Sequence, residues 1–526
     1  MEYDLEKVAE DSARGGFFLI SGTAISTVIM AVSSILIGRF LGPELYGQYT
    51  LTMVVPQLLF LFTDLGISQG VIKFTASLRS KGEVDRIPQI IKYGLILRAS
   101  VGFVVSIINY ALADFFASFM LQRPELTFYV RLVSICIIFQ VIYTTVTSAF
   151  VGLDRTEYNA LTTNIQATVK AIISISLVLL GFSVTGAVIG YVAGYVIAAV
   201  VGISILFILI RKKEVKQSAN SLSDLKILIS YGAPLYISAL LSGFIPTYQN
   251  IMLAFFTTDA DIGNYKAATN FIALMSILTV PITTTLLPAF SKINSLTNQK
   301  IKEFYKIANK YTAMVIVPLA FLIIIFSREI VEIIYGSTYQ SAPIFLAIYC
   351  LLYLSVGIGY IVLPSLYNGL GQTKTTLKMS LTTLLVLAVL SPILTKTYSV
   401  PGLIIAFITA STVGTIYGFY VARINFKIEL TIKTQLKIYL NSAVSSIPAI
   451  LVLSLASSPK ILNVAIGGLL YLLTYLTLIP LTKTMTLQEL RKTLRITQKI
   501  PSLAIIAKPI ILYQQKLLQI MQKHAA

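Results

Sequence analysis

Gly38-Arg39-Phe40-Leu41-Gly42-Pro43-Glu44-Leu45-Tyr46-Gly47-Gln48-Tyr49 is a short polar turn set between two long apolar runs. Asp259-Ala260-Asp261-Ile262-Gly263-Asn264-Tyr265 carries the same Gly-x-Tyr, and Gly47 to Gly263 and Tyr49 to Tyr265 are each 216 positions apart. The spacing recurs. Phe150-Val-Gly152-Leu153-Asp-Arg-Thr156 matches Tyr367-Asn-Gly369-Leu370-Gly-Gln-Thr373, and Ser183-Val184-Thr-Gly186 matches Ser399-Val400-Pro-Gly402, at offsets of 217 and 216. A constant offset at several separate motifs points to an internal duplication, with residues of about 15–215 and 228–425 as its two halves.

The two halves are built from membrane spans. Of the 526 residues 56% are hydrophobic and 12% charged, too apolar for a soluble domain. Windows of about 20 apolar residues place helices near 17–37, 49–71, 93–113, 127–151, 159–181, 185–210, 228–256, 264–290, 311–333, 344–367, 375–395, 402–423, 435–456 and 461–482, about fourteen spans. Loops after even-numbered helices are basic, as in Lys73, Arg79, Lys81, Arg86 and Lys92, then Arg211, Lys212, Lys213 and Lys216, then Lys292 to Lys310. Loops after odd-numbered helices hold isolated charges such as Arg39, Arg123, Lys266, Arg328, Lys396 and Lys460. Roughly four-fifths of all Lys and Arg thus fall on one side, which predicts both termini in the cytoplasm. Six helices per half keep the halves in the same orientation, related by a pseudo-two-fold along the membrane normal. The expected organisation is a six-helix lobe over 1–215, a second over 216–430, two further spans over 431–482 and a basic amphipathic cytoplasmic tail over 483–526. Lys300 to Lys310, with Ile301, Phe304, Tyr305 and Ile307 at helical spacing, reads as an interfacial element. The tail reads either as a peripheral amphipathic element or as a hairpin dipping into the bilayer.

Composition excludes several chemistries. The net charge of +19 has its cause in the positive-inside pattern, so no nucleic-acid partner is expected. Cys136 and Cys350 lie far apart in apolar runs, and the single histidine, His524, is third from the end, so no metal cluster or imidazole catalysis is expected. No P-loop, dinucleotide fingerprint or nucleophile elbow occurs, so no cofactor is expected, and H+ or Na+ are the candidate coupling ions. The acidic start, Glu2 to Glu10, is unlike a signal peptide, and the first apolar run reads as a retained helix.

Charges inside spans are costly unless they face a cavity or find a partner, so they carry the site hypotheses. Lys170 lies mid-way along the fifth helix, too far from either end to snorkel, and fits a cavity lining or a structural ion pair. Arg98 and Arg131 sit nearer helix ends, where snorkelling competes with a cavity role. Asp64 is placed to pair with Arg98 or Lys170, or to carry a proton or cation. Arg39 is either an anion contact at the outer gate or a headgroup anchor. Gly232, Pro234, Gly243 and Pro246 interrupt the long seventh segment, and a bent gating helix is expected there. Gln249 and Asn250 follow the bend and offer hydrogen bonds to a ligand or between helices, as do Gln140, Asn164 and Asn270 on neighbouring helices.

In order and spacing, Gly38 to Tyr49, Asp64-Leu-Gly66, Gly152-Leu153-Asp-Arg, Gly263-Asn-Tyr265-x-Ala267-Ala268 and Gly369-Leu-Gly-Gln-Thr373 resemble the polysaccharide-biosynthesis flippases. These are the O-unit or lipid-linked oligosaccharide transporters of the multidrug/oligosaccharidyl-lipid/polysaccharide (MOP) exporter superfamily. The resemblance spans roughly residues 10–480. It implies two six-helix lobes in a V, a central cavity opening alternately to each side, and two extra C-terminal helices. It further implies an isoprenoid phosphate or diphosphate sugar as substrate, turned from the cytoplasmic to the external leaflet of the cell membrane. Membrane lipids and glycan-assembly enzymes are the implied partners. Relatives often carry an Asp in the seventh helix where this chain places Gln249, so no ion-coupling role is carried over to that position. Two rival readings are a drug or organic-cation antiporter of the same superfamily, which favours cavity carboxylates, and a membrane polymerase or glycosyltransferase, which needs a larger outer domain than these short loops supply.

Overall fold

Helices account for all the regular structure among the residues described by the computed structural model, which are 5–211, 221–293, 297–455, 459–497 and 501–525. Glu2 in the acidic start, and the loop residues Lys212, Lys213 and Lys216 of the orientation argument, lie outside the described residues. The chain divides into two units, Met1–Asn270 with Ser391–Leu403, and Phe271–Leu390 with Ile404–Ala526. In the first lie α1 (Leu5–Thr52), α2 (Val54–Leu61), α3 (Ile67–Ser80), α4 (Ile87–Ala111), the single turn α5 (Ala113–Phe115), α6 (Thr127–Gly152), α7 (Thr156–Leu177), α8 (Ser183–Arg211), α9 (Ser221–Phe256) and the start of α10 (Asp259–Ile293). The second holds the rest of α10, α11 (Asn298–Ile325), α12 (Ser327–Tyr335), α13 (Ala342–Cys350), α14 (Val362–Gly369), most of α15 (Thr373–Phe426), α16 (Ile432–Leu455), α17 (Lys460–Leu481), α18 (Leu487–Thr497) and α19 (Pro501–Ala525).

Among the described residues ten helices are long and apolar enough to cross a bilayer, or eleven with the pair Ala342–Ile358 and Val362–Gly369, bent by 48°. The protein is an all-helical, multi-pass membrane protein. The tally differs from the expected fourteen where neighbouring spans run together: Ser21–Leu61, Thr156–Ile210 and Thr373–Phe426 are 41, 55 and 54 residues long. At about 1.5 Å per residue each is at least twice the ~30 Å hydrocarbon thickness. All three contain a backbone break, at Gly42 (φ 74°), at Gly181 and Ser183 (φ 90° and 51°) and at Ser399 (φ 55°).

The duplicated motifs have duplicated backbones. Ser183 (φ 51°, ψ −134°) and Ser399 (φ 55°, ψ −138°) share one rare conformation, 216 positions apart (399 − 183). Asp154 (φ 59°) and Gly371 (φ 73°) both turn left-handed after α6 and α14. Around them Arg155 N–H donates to Phe150 O at 2.8 Å, and Gln372 N–H to Tyr367 O at 2.7 Å. Gly152 and Gly369 are each pressed against a neighbouring backbone, a Cβ meeting Ile72 O at 3.0 Å in one and Leu287 O at 2.6 Å in the other. The opening turns meet directly: a Cβ on Gly47 would strike the carbonyl oxygen of Asp259, and one on Gly263 that of Pro43. This exchange, residue i on j and j on i, is the signature of a two-fold contact.

Backbone carbonyls freed by proline or by breaks must find donors where no water reaches them. Pro318 has no N–H for Met314 O, which accepts from Tyr475 Oη at 3.0 Å. Pro480 likewise frees Leu476 O, which accepts from Gln514 Nε2 at 3.0 Å. The break after α2 leaves Leu61 O to Tyr236 Oη at 2.9 Å. At the bend after α13, Asn309 Nδ2 donates to Gly357 O at 2.8 Å.

Two expectations change. Lys300 to Lys310 is not a separate interfacial piece but the opening of the continuous span α11, because Ile301 and Tyr305 are buried in the core that also holds Phe290, Leu366 and Tyr367. The seventh segment runs as one helix through Gly243 and Pro246; Gly243 serves a close approach, its Cβ position lying 2.5 Å from Leu61 Cδ2. The break falls instead in the second span, where Leu65 (φ 47°) and Gly66 (φ 81°) separate α2 from α3. The tail forms the helices α18 and α19, packed with Tyr475, Ile479 and Met485.

The helix α12, between α11 and α13, is tied to α17 by Glu332, which accepts from Arg328 Nε at 2.9 Å and from Lys460 Nζ. The Lys460 hydrogen bond first, then that of Arg328, hold the Glu332 carboxyl below the usual 4.5. A depressed carboxylate contributes stability above its unfolded pKa and loses it as pH falls through the folded value. Glu332→Gln is therefore expected to lower the melting temperature at pH 7, with the gap to wild type closing as pH is taken below about 4.5.

Candidate functional site

The site is built on α7, which is held between α1 and α8 by small residues. A Cβ on Gly22 of α1 would overlap Ala160, one on Gly190 of α8 would overlap Ser174, and one on Gly194 would lie 2.9 Å from Lys170 Cβ. Such close approach is the usual use of small residues between membrane helices. It buries Lys170 to 8% exposure. The Lys170 ammonium lies 3.8 Å from Met30 Sδ and 5.2 Å from the centre of the Tyr191 ring. Cys136 and Lys266 are within electrostatic reach. Among the described residues Lys170 has no acidic partner.

A desolvated cation over an aromatic ring gains about 2 kcal/mol. Removing an ammonium from water costs several kcal/mol even after relaxation. A thioether and a ring thus leave the Lys170 charge under-compensated, and an anion brought to it would be held strongly.

Arg98 is different. It is 1% exposed, its Nη2 lies 3.2 Å from Asp64 Oδ1, and its Nη1 donates to Ser68 Oγ at 2.7 Å and Thr145 Oγ1 at 3.1 Å. Asp64 also accepts from Ser68 Oγ at 2.6 Å and Ser68 N–H at 3.3 Å. Of the two partners open to Asp64, the structure selects Arg98 over Lys170. The pair sits at the α2–α3 break, beside the Tyr236 contact to Leu61 O. Asp64→Asn keeps the shape and leaves a buried guanidinium without its counter-charge. It is expected to lower stability by about 3–5 kcal/mol, read by thermal unfolding in detergent.

The other candidates stand apart. Arg131 is paired with Asp114, the arginine half-buried and the aspartate exposed, with its guanidinium 5.9 Å from the Tyr110 ring centre. Arg39 is exposed, just before the Gly42 break. Gln249 is 4% exposed with Nε2 lacking a hydrogen-bond partner, and Asn250 beside it is half-buried. None of these is among the partners of Lys170.

Sequence reading missed Lys266, counted there as a loop charge. It lies inside α10, half-buried, four residues before Asn270, whose Nδ2 donates to Ser34 Oγ at 3.0 Å and Tyr46 Oη at 2.9 Å. Ser34 in turn stands one helical turn beyond Met30 on α1. The i, i+4 relation of Lys266 to Asn270 was the available signal.

A family model described as "Polysaccharide biosynthesis protein" matches residues 12–294, more than half of the chain. The chain belongs to this family. No curated protein sequence matches it. Among solved structures, the chain is similar to the lipid II flippase MurJ in an inward closed conformation. The TM-score is 0.72 at 18% identity, over 89% of this chain and 99% of that one. An inward-facing multidrug resistance MATE family transporter of the MOP superfamily follows at TM-score 0.65 and 17% identity, covering 78% and 98%. A MOP superfamily transporter from Pyrococcus furiosus, described through a binding pocket of reversed polarity, aligns at TM-score 0.54 and 16% identity, covering 79% and 95%. At these identities the likeness shows the fold alone, one like that of these transporters.

Proposed function

We propose that this protein is a transporter, not an enzyme, and moves a lipid-linked saccharide bearing an anionic phosphate or diphosphate from the cytoplasmic to the external leaflet by alternating access. The observation that carries the reading is Lys170, a buried charge in mid-helix with no acid beside it among the described residues. Lys266, within its electrostatic reach, supplies a second positive charge. Two cations in a dry site suit a phosphate group, which offers acceptor oxygens to each. Arg39, Arg131, Gln249 and Asn250 are proposed as further cavity groups, with Arg98 and Asp64 supporting the wall. The two repeat lobes, 1–215 and 216–430, would rock against each other, with 431–482 as added spans and 483–526 as tail. The protein would lie in the cell membrane with both termini in the cytoplasm, beside glycan-assembly enzymes, and H+ or Na+ would be the coupling ion.

The organic-cation antiporter reading needs a free carboxylate, and Asp64 is taken by Arg98. The polymerase or glycosyltransferase reading has no metal-holding group of His, Cys, Asp or Glu in its favour among the described residues. The test reconstitutes the protein in vesicles and follows exposure of a fluorescent isoprenoid-diphosphate sugar to an impermeant quencher. Protein-dependent exposure supports the proposal. Exposure no faster than in protein-free vesicles, together with uptake of an organic cation, overturns it.

A further inference from the structure

The helices α18 and α19 lie outside the candidate site and carry a surface of their own. Between Lys483 and Ala526 there are eight Lys or Arg and one acid, Glu489. Glu489 is consumed internally: it accepts from Lys310 Nζ at 2.7 Å and closes a capping box with Thr486, whose N–H donates to it at 2.8 Å. The buried sides of α18 and α19, Leu490, Ile511 and Leu518, pack with Tyr475 and Ile479 of α17.

Two contacts set the level of α19. Gln514 Nε2 donates to Leu476 O, the carbonyl freed by Pro480, and Tyr513 Oη lies 3.1 Å from Thr477 Oγ1. Leu476 and Thr477 are four to five residues from the end of the α17 span at Leu481, about 6–8 Å in at 1.5 Å per residue. A helix bonded there lies at the headgroup layer. Its exposed face reads Lys508, Leu512, Lys516, Ile520, one residue per turn, with charge and hydrocarbon alternating. On α18, Arg491, Lys492 and Arg495 are exposed as well. None of these cations has an acidic partner among the described residues.

We propose that the α18–α19 hairpin is a docking surface for anionic phospholipids of the leaflet at the C-terminal end of α17. Leu512 and Ile520 enter the acyl boundary while Lys508, Lys516 and the α18 cations meet phosphate headgroups. Clusters of this size beside a span attract anionic lipid by charge complementarity, and the alternating stripe lets each Lys stem lie on hydrocarbon while its ammonium stays at the headgroups.

The chain contains no tryptophan, so Leu512→Trp provides a single reporter in the full-length protein. The protein is placed in phosphatidylcholine nanodiscs containing an equal fraction of either brominated phosphatidylglycerol or brominated phosphatidylcholine. Quenching about threefold stronger by the anionic lipid, abolished when Arg491, Lys492 and Arg495 are changed to Glu, is the expected result. Equal quenching by both lipids overturns the anionic preference. Quenching by neither overturns membrane docking and points to a free tail or an acidic protein partner.

Discussion

Lys170→Ala is expected to lower the rate of lipid-linked sugar exposure about 10–100-fold at sub-saturating substrate, while raising thermal stability or leaving it unchanged. The first half follows from losing a charge-assisted contact in a dry site, worth about 1.5–3 kcal/mol. The second follows from the surroundings of Lys170: Met30, the Tyr191 ring and no acid among the described residues, so truncation strands no counter-charge. Lys170→Arg keeps the charge and is expected to retain most activity. The pairing of outcomes separates a ligand role from a structural one. A structural ion pair would lose stability together with activity. Wild-type flipping by Lys170→Ala, measured by quencher access in vesicles, would remove Lys170 from the site.

Gly47→Ala is the second large effect, an expected loss of about 3 kcal/mol. Its Cβ would fall inside contact with the Asp259 carbonyl, a backbone atom that moves only if the turn moves. Overpacking against a yielding side chain costs about 1–3 kcal/mol, and a carbonyl places this case at the upper end. Gly263→Ala, striking Pro43 O, should cost the same, and the double variant should cost less than the sum, because turns already parted no longer clash. Gly42→Ala is the control. Gly42 has φ 74° and ψ 172° with nothing within 4 Å of its Cβ position, so only backbone strain of about 1–3 kcal/mol is expected. Melting temperatures of the four variants in detergent measure the set; additive losses at Gly47 and Gly263 would show two independent contacts rather than one exchanged between the turns.

The break at Thr63 to Gly66 shows why some local structure escapes a linear reading. Residues 49–71 form an apolar run of ordinary span length, and Asp64-Leu-Gly66 within it is compatible with a helix. The chain unwinds there because Arg98 of α4 draws in the Asp64 carboxylate and Tyr236 of α9 covers Leu61 O, two donors distant in sequence. In the seventh segment the converse holds. Gly243 and Pro246 looked like breakers, yet the helix continues through both, and Gly243 serves packing against Leu61.

The linear sequence by itself determined the solvent, the helical class and the duplication, because each rests on a property additive along the chain: hydrocarbon length per span and a fixed offset between motifs. It also singled out Lys170, since a charge ten residues from either end of a span is anomalous in any fold. Tertiary structure alone decided that Asp64 pairs with Arg98, that Lys266 lies half-buried inside α10, and that Gly47 and Gly263 receive each other's turns. Those outcomes depend on which helix faces meet. Facing is set by the packing of small residues such as Gly22, Gly190 and Gly194 against α7, a relation between distant positions that no local window contains.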